Sequence, residues 1–284
     1  VNQIKFDNSS LQAFKDCPER YRLKYVLGLK KREEGIENHD INFGKAIHKG
    51  LEAHYKGKDY REAFTSEYGI QLDIEDKAKT YEHGLLLLDK YIEFYNEQDK
   101  LFEILEVEQP DLIKVGEFDF IVKRDMVIKQ QGCIYVLEHK TTKKSLNSWD
   151  YWGQFEPNSQ VTAQTYSCMK KYGECSGVII NAMQVGFRER AYKGEPAGFH
   201  CSFQRQMFNR TKEQCGDWYE QHIEWLERLR DNKEFVPNST WLKNEGQCRY
   251  CNMKEICNSL ADEQIIEQLY ERLDNPFSYL ETEV

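Results

Sequence analysis

Asp125 is followed thirteen residues later by Glu138-His139-Lys140, and the run leading into that triplet, Cys133-Ile134-Tyr135-Val136-Leu137, is apolar. Two carboxylates and an amine at the ends of adjacent β-strands suit a hard divalent cation with a lysine beside it. Hydrolysis of a phosphodiester needs an activated water and neutralised charge at the phosphate, and Mg²⁺ or Mn²⁺ on oxygen ligands supplies both. Strand side chains alternate, so Lys140 points the same way as Glu138, where its charge can orient the water or offset the developing anion. Glu-x-Lys alone is a common pattern on solvated strand edges. The apolar strand ending in it, with Asp125 at this spacing, is more specific.

A second constellation is soft. Cys248, Cys251 and Cys257 form Cys-x2-Cys-x5-Cys, and thiolates this close make a metal site in a reducing compartment. The chain has nine cysteines, an odd number that argues against a complete disulfide framework. Cys133, Cys168, Cys175, Cys201 and Cys215 are scattered singly and read as small buried hydrophobes.

The elements that must position these groups follow from periodicity. N-cap residues at Asp7-Asn8-Ser9-Ser10 open a helical run with Leu11, Phe14, Tyr21, Tyr25 and Leu29 on its apolar face. Further helices are predicted over 43–55 and about 76–96. Strands follow over 102–108, over 113–129 in one or two pieces, and over 134–139, with Gln130-Gln131-Gly132 as the hairpin turn. A helix over 159–172, a strand over 178–185 and a helix over 211–231 come next. A cysteine-bearing loop over 236–257, a helix over 261–273 and an acidic, mobile tail complete the chain. This order predicts a mixed α/β fold: a central, mostly antiparallel or mixed sheet flanked by helices. It reads as one compact domain with a helical region over 1–100, a core over 101–210 and C-terminal helices with the cysteine cluster over 211–284.

The 284 residues carry a net charge of −9, which disfavours whole-surface binding to nucleic acid. From Lys15 to Arg32, however, seven Lys/Arg face two acids, and residues 139–144 read HKTTKK. Any nucleic acid is therefore expected in a local groove. No apolar stretch approaches the roughly 20 residues that span a bilayer, and the opening residues do not resemble a signal peptide. A soluble cytoplasmic protein without a membrane partner is expected.

Asp125 with Val136-Leu137-Glu138-His139-Lys140-Thr141-Thr142 resembles the PD-(D/E)xK nuclease superfamily in its RecB-like branch, including its restriction-endonuclease-like core. Ser9-Ser10-Leu11-Gln12-Ala13-Phe14-Lys15-Asp16-Cys17-Pro18 resembles that branch's opening helix. Phe43-Gly44-Lys45-Ala46-Ile47-His48 is similar to its G-x-x-x-H motif, and Gln160 sits where it has Q-x-x-x-Y. Position 164 is Gln where that pattern has Tyr, and Tyr166 lies two residues on. Asp119, ending Val115-Gly116-Glu117-Phe118-Asp119, resembles the branch's G-x-x-D and competes with Asp125 as the strand carboxylate.

The resemblance implies a metal held by Asp125, Glu138, His48 and the backbone carbonyl of His139. It implies that Lys140 positions the water and that Gln160 supports the site or the DNA. Arg20, Arg22, Lys24, Lys143, Lys144 and Tyr166 are the expected DNA contacts. A 4Fe-4S cluster on Cys17, Cys248, Cys251 and Cys257 is implied by similarity to CRISPR adaptation and AddB-type nucleases, with Zn²⁺ on the same four residues as the alternative. The expected activity is exonuclease action on DNA ends or single strands in recombination, repair or foreign-DNA processing, with a recombination, phage or CRISPR protein as partner. A non-catalytic DNA- or protein-binding member of the fold and an RNA-processing nuclease are the alternatives. The sequence does not fix the oligomeric state.

Overall fold

A computed structural model of the chain describes residues 5–32, 39–69, 76–191, 194, 196–232, 234–235, 248 and 251–278. Most of the cysteine-bearing loop expected over 236–257, and the last six residues of the acidic tail, lie outside the described residues. The chain divides into two compact units, one of Val1–Gly35, Pro110–Val122 and Gly216–Val284, the other of Ile36–Gln109 and Lys123–Cys215.

The second unit holds the larger core. Helices α3 (His39–Tyr55), α4 (Tyr60–Tyr68) and α5 (Tyr81–Asp99) precede strands β3 (Phe102–Val115), β4 (Phe118–Gln130) and β5 (Cys133–Thr142), of which residues 110–115 of β3 and 118–122 of β4 belong to the first unit. Short helix α6 (Trp149–Gly153), α7 (Ser159–Tyr172), β6 (Gly177–Arg188) and β7 (Gly198–Asn209) follow. β3 pairs with β4; β4 and β5 are antiparallel, β5 and β6 parallel, and β6 and β7 antiparallel. The sheet is mixed, and helices pack on both of its faces, as the sequence predicts.

The reason is alternation along buried strands. Ile134 and Val136 of β5, with Val178, Ile180 and Ala182 of β6, form one core with Tyr151, Trp152 and Val161. The intervening Leu137 and Ile179 pack with Met126 and Ile128. Met183 and Val185 pack on Phe43, Ile47, Leu51, Leu87 and Tyr91. The β4–β5 turn is a two-residue loop with Gln131 at φ 49° and Gly132 at φ 83°, the left-handed pair that matches strand twist in a tight hairpin.

In the first unit, β1 (Lys5–Asp7) runs parallel to β4 with Lys5 opposite Asp119. Asp7 caps α1 (Asn8–Asp16) by accepting from the Ser10 amide at 2.8 Å. The long basic helix of the sequence reading is broken at Cys17, which is extended; α2 (Pro18–Tyr21) and a π-helical turn, Arg22–Val26, continue it. Pro18 has no amide to extend the preceding ladder, so the break falls there.

Helix α8 (Lys212–Asp231) spans the boundary between the units. Its residues in the first unit bury Trp218, His222, Leu226 and Leu229. The last predicted helix is shorter than expected. Asp262 caps α10 (Glu263–Leu269), after α9 (Lys254–Asn258). The chain then turns into β8 (Tyr270–Arg272), which pairs with β2 (Leu29–Lys31). Among the described residues no helix is long and apolar enough to cross a membrane.

Candidate functional site

The chemistry-bearing side chains of the second unit converge. Helix α3 delivers His48, whose Nδ1 lies 3.3 Å from Asp125 Oδ1 on β4. The other oxygen of Asp125 accepts from the His139 backbone amide at 2.7 Å. One ligand atom each from His48, Glu108 and Asp125 lies within 4.8 Å of the others, enough to hold a metal ion.

Glu108 was absent from the residues singled out in the sequence. It sits within β3 at φ 51°, a left-handed backbone that is uncommon for a non-glycine residue and often marks function. Its sequence signal is faint: apolar alternation fails at Glu108-Gln109-Pro110, which reads as a strand end.

Glu138 is almost fully buried, and both of its oxygens are engaged. Oε1 accepts from Lys140 Nζ at 2.6 Å and Gln160 Nε2 at 2.9 Å; Oε2 accepts from Gln164 Nε2 at 2.7 Å. Gln164 also donates to the Lys123 carbonyl at 3.0 Å. The residue that departs from the family pattern is thus a direct partner of Glu138. Gln160 and Gln164 fall on one face of α7 because they are four apart, and Asn158 caps that helix by accepting from the Val161 amide.

Behind the site lies a buried polar network. His139 stacks on Tyr55 at 5.9 Å, and its Nδ1 is 2.7 Å from Asn181 Nδ2. Since the Asn181 amide donates, Nδ1 accepts, and the imidazole proton resides on Nε2. Asn181 also donates to the Tyr91 hydroxyl, which receives Arg205 as well; Arg205 pairs with Asp99 at 2.6 Å.

Electrostatics separate the roles of these groups. Burial and the Asp125 charge push Glu108 up to about 8. Burial favours neutral His48, but the charge and hydrogen bond of Asp125 outweigh it and push the imidazole up to about 9. Burial also works against ionised Asp125, yet the charge and hydrogen bond of His48 hold it below the usual carboxylate range. Glu138 is raised by burial and by Asp125, against Lys140. Burial pushes His139 down to about 3, so it is neutral. Lys140 is raised despite burial, because Glu138 and Asp125 hold its proton.

The other sequence candidates have surroundings of their own. Asp119 belongs to the first unit, where Lys114 pairs with it at 2.5 Å. Lys143 is engaged by Asp76 at 2.6 Å and Asp40 at 3.3 Å, and Lys144 is exposed. Arg22 is bidentate on Glu19 at 2.7 and 2.6 Å. The Lys24 ammonium lies 4.9 Å from the Tyr25 ring centre, and Lys170 lies 5.3 Å from that of half-exposed Tyr166.

Within the first unit, Cys17, Cys248, Cys251 and Cys257 line one cavity of about 90 Å³, together with Arg20, Leu23 and Met253. Burial, Glu19 and the other three thiols push Cys257 up to about 11. The structure thus brings these four residues to one cavity.

A crystal structure of a putative exonuclease from Eubacterium rectale is similar in fold, with a TM-score of 0.53 at 11% identity over 88% of this chain and 87% of that one. An alkaline exonuclease from Laribacter hongkongensis matches at a TM-score of 0.28 and 12% identity, over 70% of this chain and 91% of that one. No curated protein matches the sequence. The family model of the PD-(D/E)XK nuclease superfamily matches residues 8–258, nearly the whole chain, and the chain belongs to that superfamily.

Proposed function

We propose that this nuclease is a divalent-metal-dependent deoxyribonuclease of the RecB-like branch. It would act as an exonuclease on DNA ends or single strands, in recombination, repair or foreign-DNA processing. The observation that carries this reading is the grouping of His48, Glu108 and Asp125 within 4.8 Å, in the unit that also holds the Glu138–Lys140 pair. Two carboxylates and one imidazole suit Mg²⁺ or Mn²⁺ better than a soft ion. The upward shift of Glu108 is what crowded acids show where a cation would relieve their repulsion.

Bound there, the ion would polarise the phosphate and make a hydroxide nucleophile available near neutral pH. Asp125 stays ionised through His48. Glu138 is held in one orientation by Gln160 and Gln164, and in turn holds the Lys140 ammonium. Lys140 keeps its proton, so it orients the attacking water and offsets charge on the phosphate as a cation rather than serving as a base. Exposed Lys144 suits contact with the DNA backbone.

We infer that the thiol-lined cavity holds a 4Fe-4S cluster. A tetrahedral zinc ion at about 2.3 Å from each sulfur would draw the four sulfurs to about 3.8 Å of one another. A cavity of about 90 Å³ framed by those residues suits a cluster of several atoms better. A reducing, cytoplasmic setting is part of this reading, because it keeps the thiols available.

Digestion of end-labelled linear DNA with Mg²⁺ or Mn²⁺ tests the nuclease reading. Metal-dependent degradation is expected, with a loss of about 10³-fold or more in Lys140→Ala. Equal degradation by both proteins would displace the proposed site, and a label pattern of internal cuts would remove the exonuclease assignment.

A further inference from the structure

Tyr151 is 3% exposed, yet among the described residues its hydroxyl has no hydrogen-bond partner. Buried polar atoms are rarely left unpaired, and one that is calls for a ligand, a water or a catalytic role. The ring is held firmly. It meets Trp152 edge-on at 4.9 Å and Phe155 at 5.7 Å, while Gln154 donates to the Tyr151 carbonyl at 2.6 Å. Trp152 is itself anchored by its indole N–H on the Leu146 carbonyl at 2.7 Å.

The core around the ring fixes which side of the sheet it occupies. Tyr151 packs with Val136 of β5 and with Ile180 and Ala182 of β6. Alternation along β5 puts Val136, Glu138 and Lys140 on one face, and Ala182 is the Cα partner of Lys140 across the β5–β6 ladder. Tyr151 therefore stands on the face that carries Glu138 and Lys140. Its hydroxyl and the Lys140 ammonium act on each other electrostatically.

We propose that the Tyr151 hydroxyl donates a hydrogen bond to a non-bridging oxygen of the phosphate under attack, which makes Tyr151 a further catalytic residue beside Lys140. This rests on the nuclease reading given above. Burial pushes the phenol up to about 12, so it is a neutral donor at physiological pH and cannot act as a base there. Gln164 cannot take this part, because its amide is committed to Glu138 and to the Lys123 carbonyl. A donor locked before substrate arrives needs no reorganisation during the reaction.

Tyr151→Phe removes the oxygen alone and leaves the packing intact. Because the hydroxyl is unpaired in the free protein, the variant is expected to melt at the wild-type temperature or above. Its kcat on end-labelled DNA with Mn²⁺ is expected to fall about 100-fold, with KM changed no more than about threefold. Without any divalent metal, where no cutting occurs, its affinity for a labelled eight-nucleotide single strand is expected to fall about threefold. Wild-type cleavage and wild-type affinity in Tyr151→Phe would overturn the proposal and leave the hydroxyl to an ordered water. A wild-type protein that binds Mn²⁺ but, like Lys140→Ala, cuts nothing would overturn the nuclease reading, and this inference with it.

Discussion

The carboxylate site and the thiol cavity sit in different units and are built in opposite ways. His48 and the carboxylates stand on long elements: α3 of 17 residues, β3 of 14, β4 of 13, β5 of 10, with the 14-residue α7 carrying the amide partners of Glu138. Asp125 and Glu138 already have protein partners on both oxygens. The thiols stand on short ones. Cys17 lies in the break before a four-residue helix, Cys257 lies on a five-residue helix, and the adjoining β2 and β8 have three residues each. Helices and two-stranded sheets of that size do not hold themselves in water. The small core around them, Leu23, Leu29, Met253, Ile256, Ile266 and Tyr270, is backed by Cys251 and Cys257 themselves. On the proposed reading, the hard site is formed by folding before it takes an ion, whereas the soft site would fold together with its metal.

The sharpest way to break this contrast is to remove a thiol. In Cys251→Ala, loss of iron and sulfide is expected. So is loss of hydrogen-exchange protection over β2, α9, α10 and β8, a cost on the order of several kcal/mol. Protection over α3, α5, α7 and β5 should persist. A variant that kept both its iron and its protection would end the cluster assignment, and equal loss in both units would end the contrast.

The opposite result is expected at the carboxylates. Glu108→Gln spares the cost of keeping a buried acid beside Asp125, whether charged or forced to hold its proton, so without metal the protein should be no less stable, and by melting temperature slightly more so. Its affinity for Mn²⁺, read by calorimetric titration, should drop 10- to 100-fold, about 1.4–2.7 kcal/mol. Unchanged Mn²⁺ affinity would remove Glu108 from the metal-binding set.

Sequence and structure agree where local pattern decides the outcome. The β5 run ending in Glu138-x-Lys140, the turn at Gln131-Gly132, and helices over 159–172 and 212–231 follow directly from period and turn chemistry. Agreement fails where distant segments decide. Glu108 joins the site only because α3, sixty residues upstream, brings His48 to it, and its left-handed backbone disguises it as a strand end. Gln164 looks like a lost tyrosine until Glu138 is seen on its amide. The helix predicted through 273 stops at Leu269 because Tyr270–Arg272 finds β2, some 240 residues earlier in the chain. Strand β7 was not predicted at all; it is only half-buried along its length, and its period is weak. Tertiary partners of this kind leave no local trace.

A smaller effect sharpens the comparison inside the first unit, which also holds a core around α8. His222 of α8 is buried, stacks on Trp218 at 4.1 Å and meets Phe120 edge-on at 6.0 Å; its Nδ1–H donates to the Trp218 carbonyl at 2.8 Å. Burial, aided by the Lys15 charge, pushes it down to about 4 from the ordinary 6.5. Between those values the unfolded chain binds a proton that the folded protein refuses, so stability rises with pH there. The contribution is complete above pH 6.5 and is lost as pH falls toward 4, by about 2 kcal/mol at pH 5. Urea unfolding followed by Trp fluorescence should show this slope in the wild type, and His222→Phe should flatten it. A slope that survives the substitution would assign the acid sensitivity to other groups. A slope present in Cys251→Ala as well would show that the α8 core of this unit folds without an intact thiol set, confining any dependence on thiols to the short elements around the cavity.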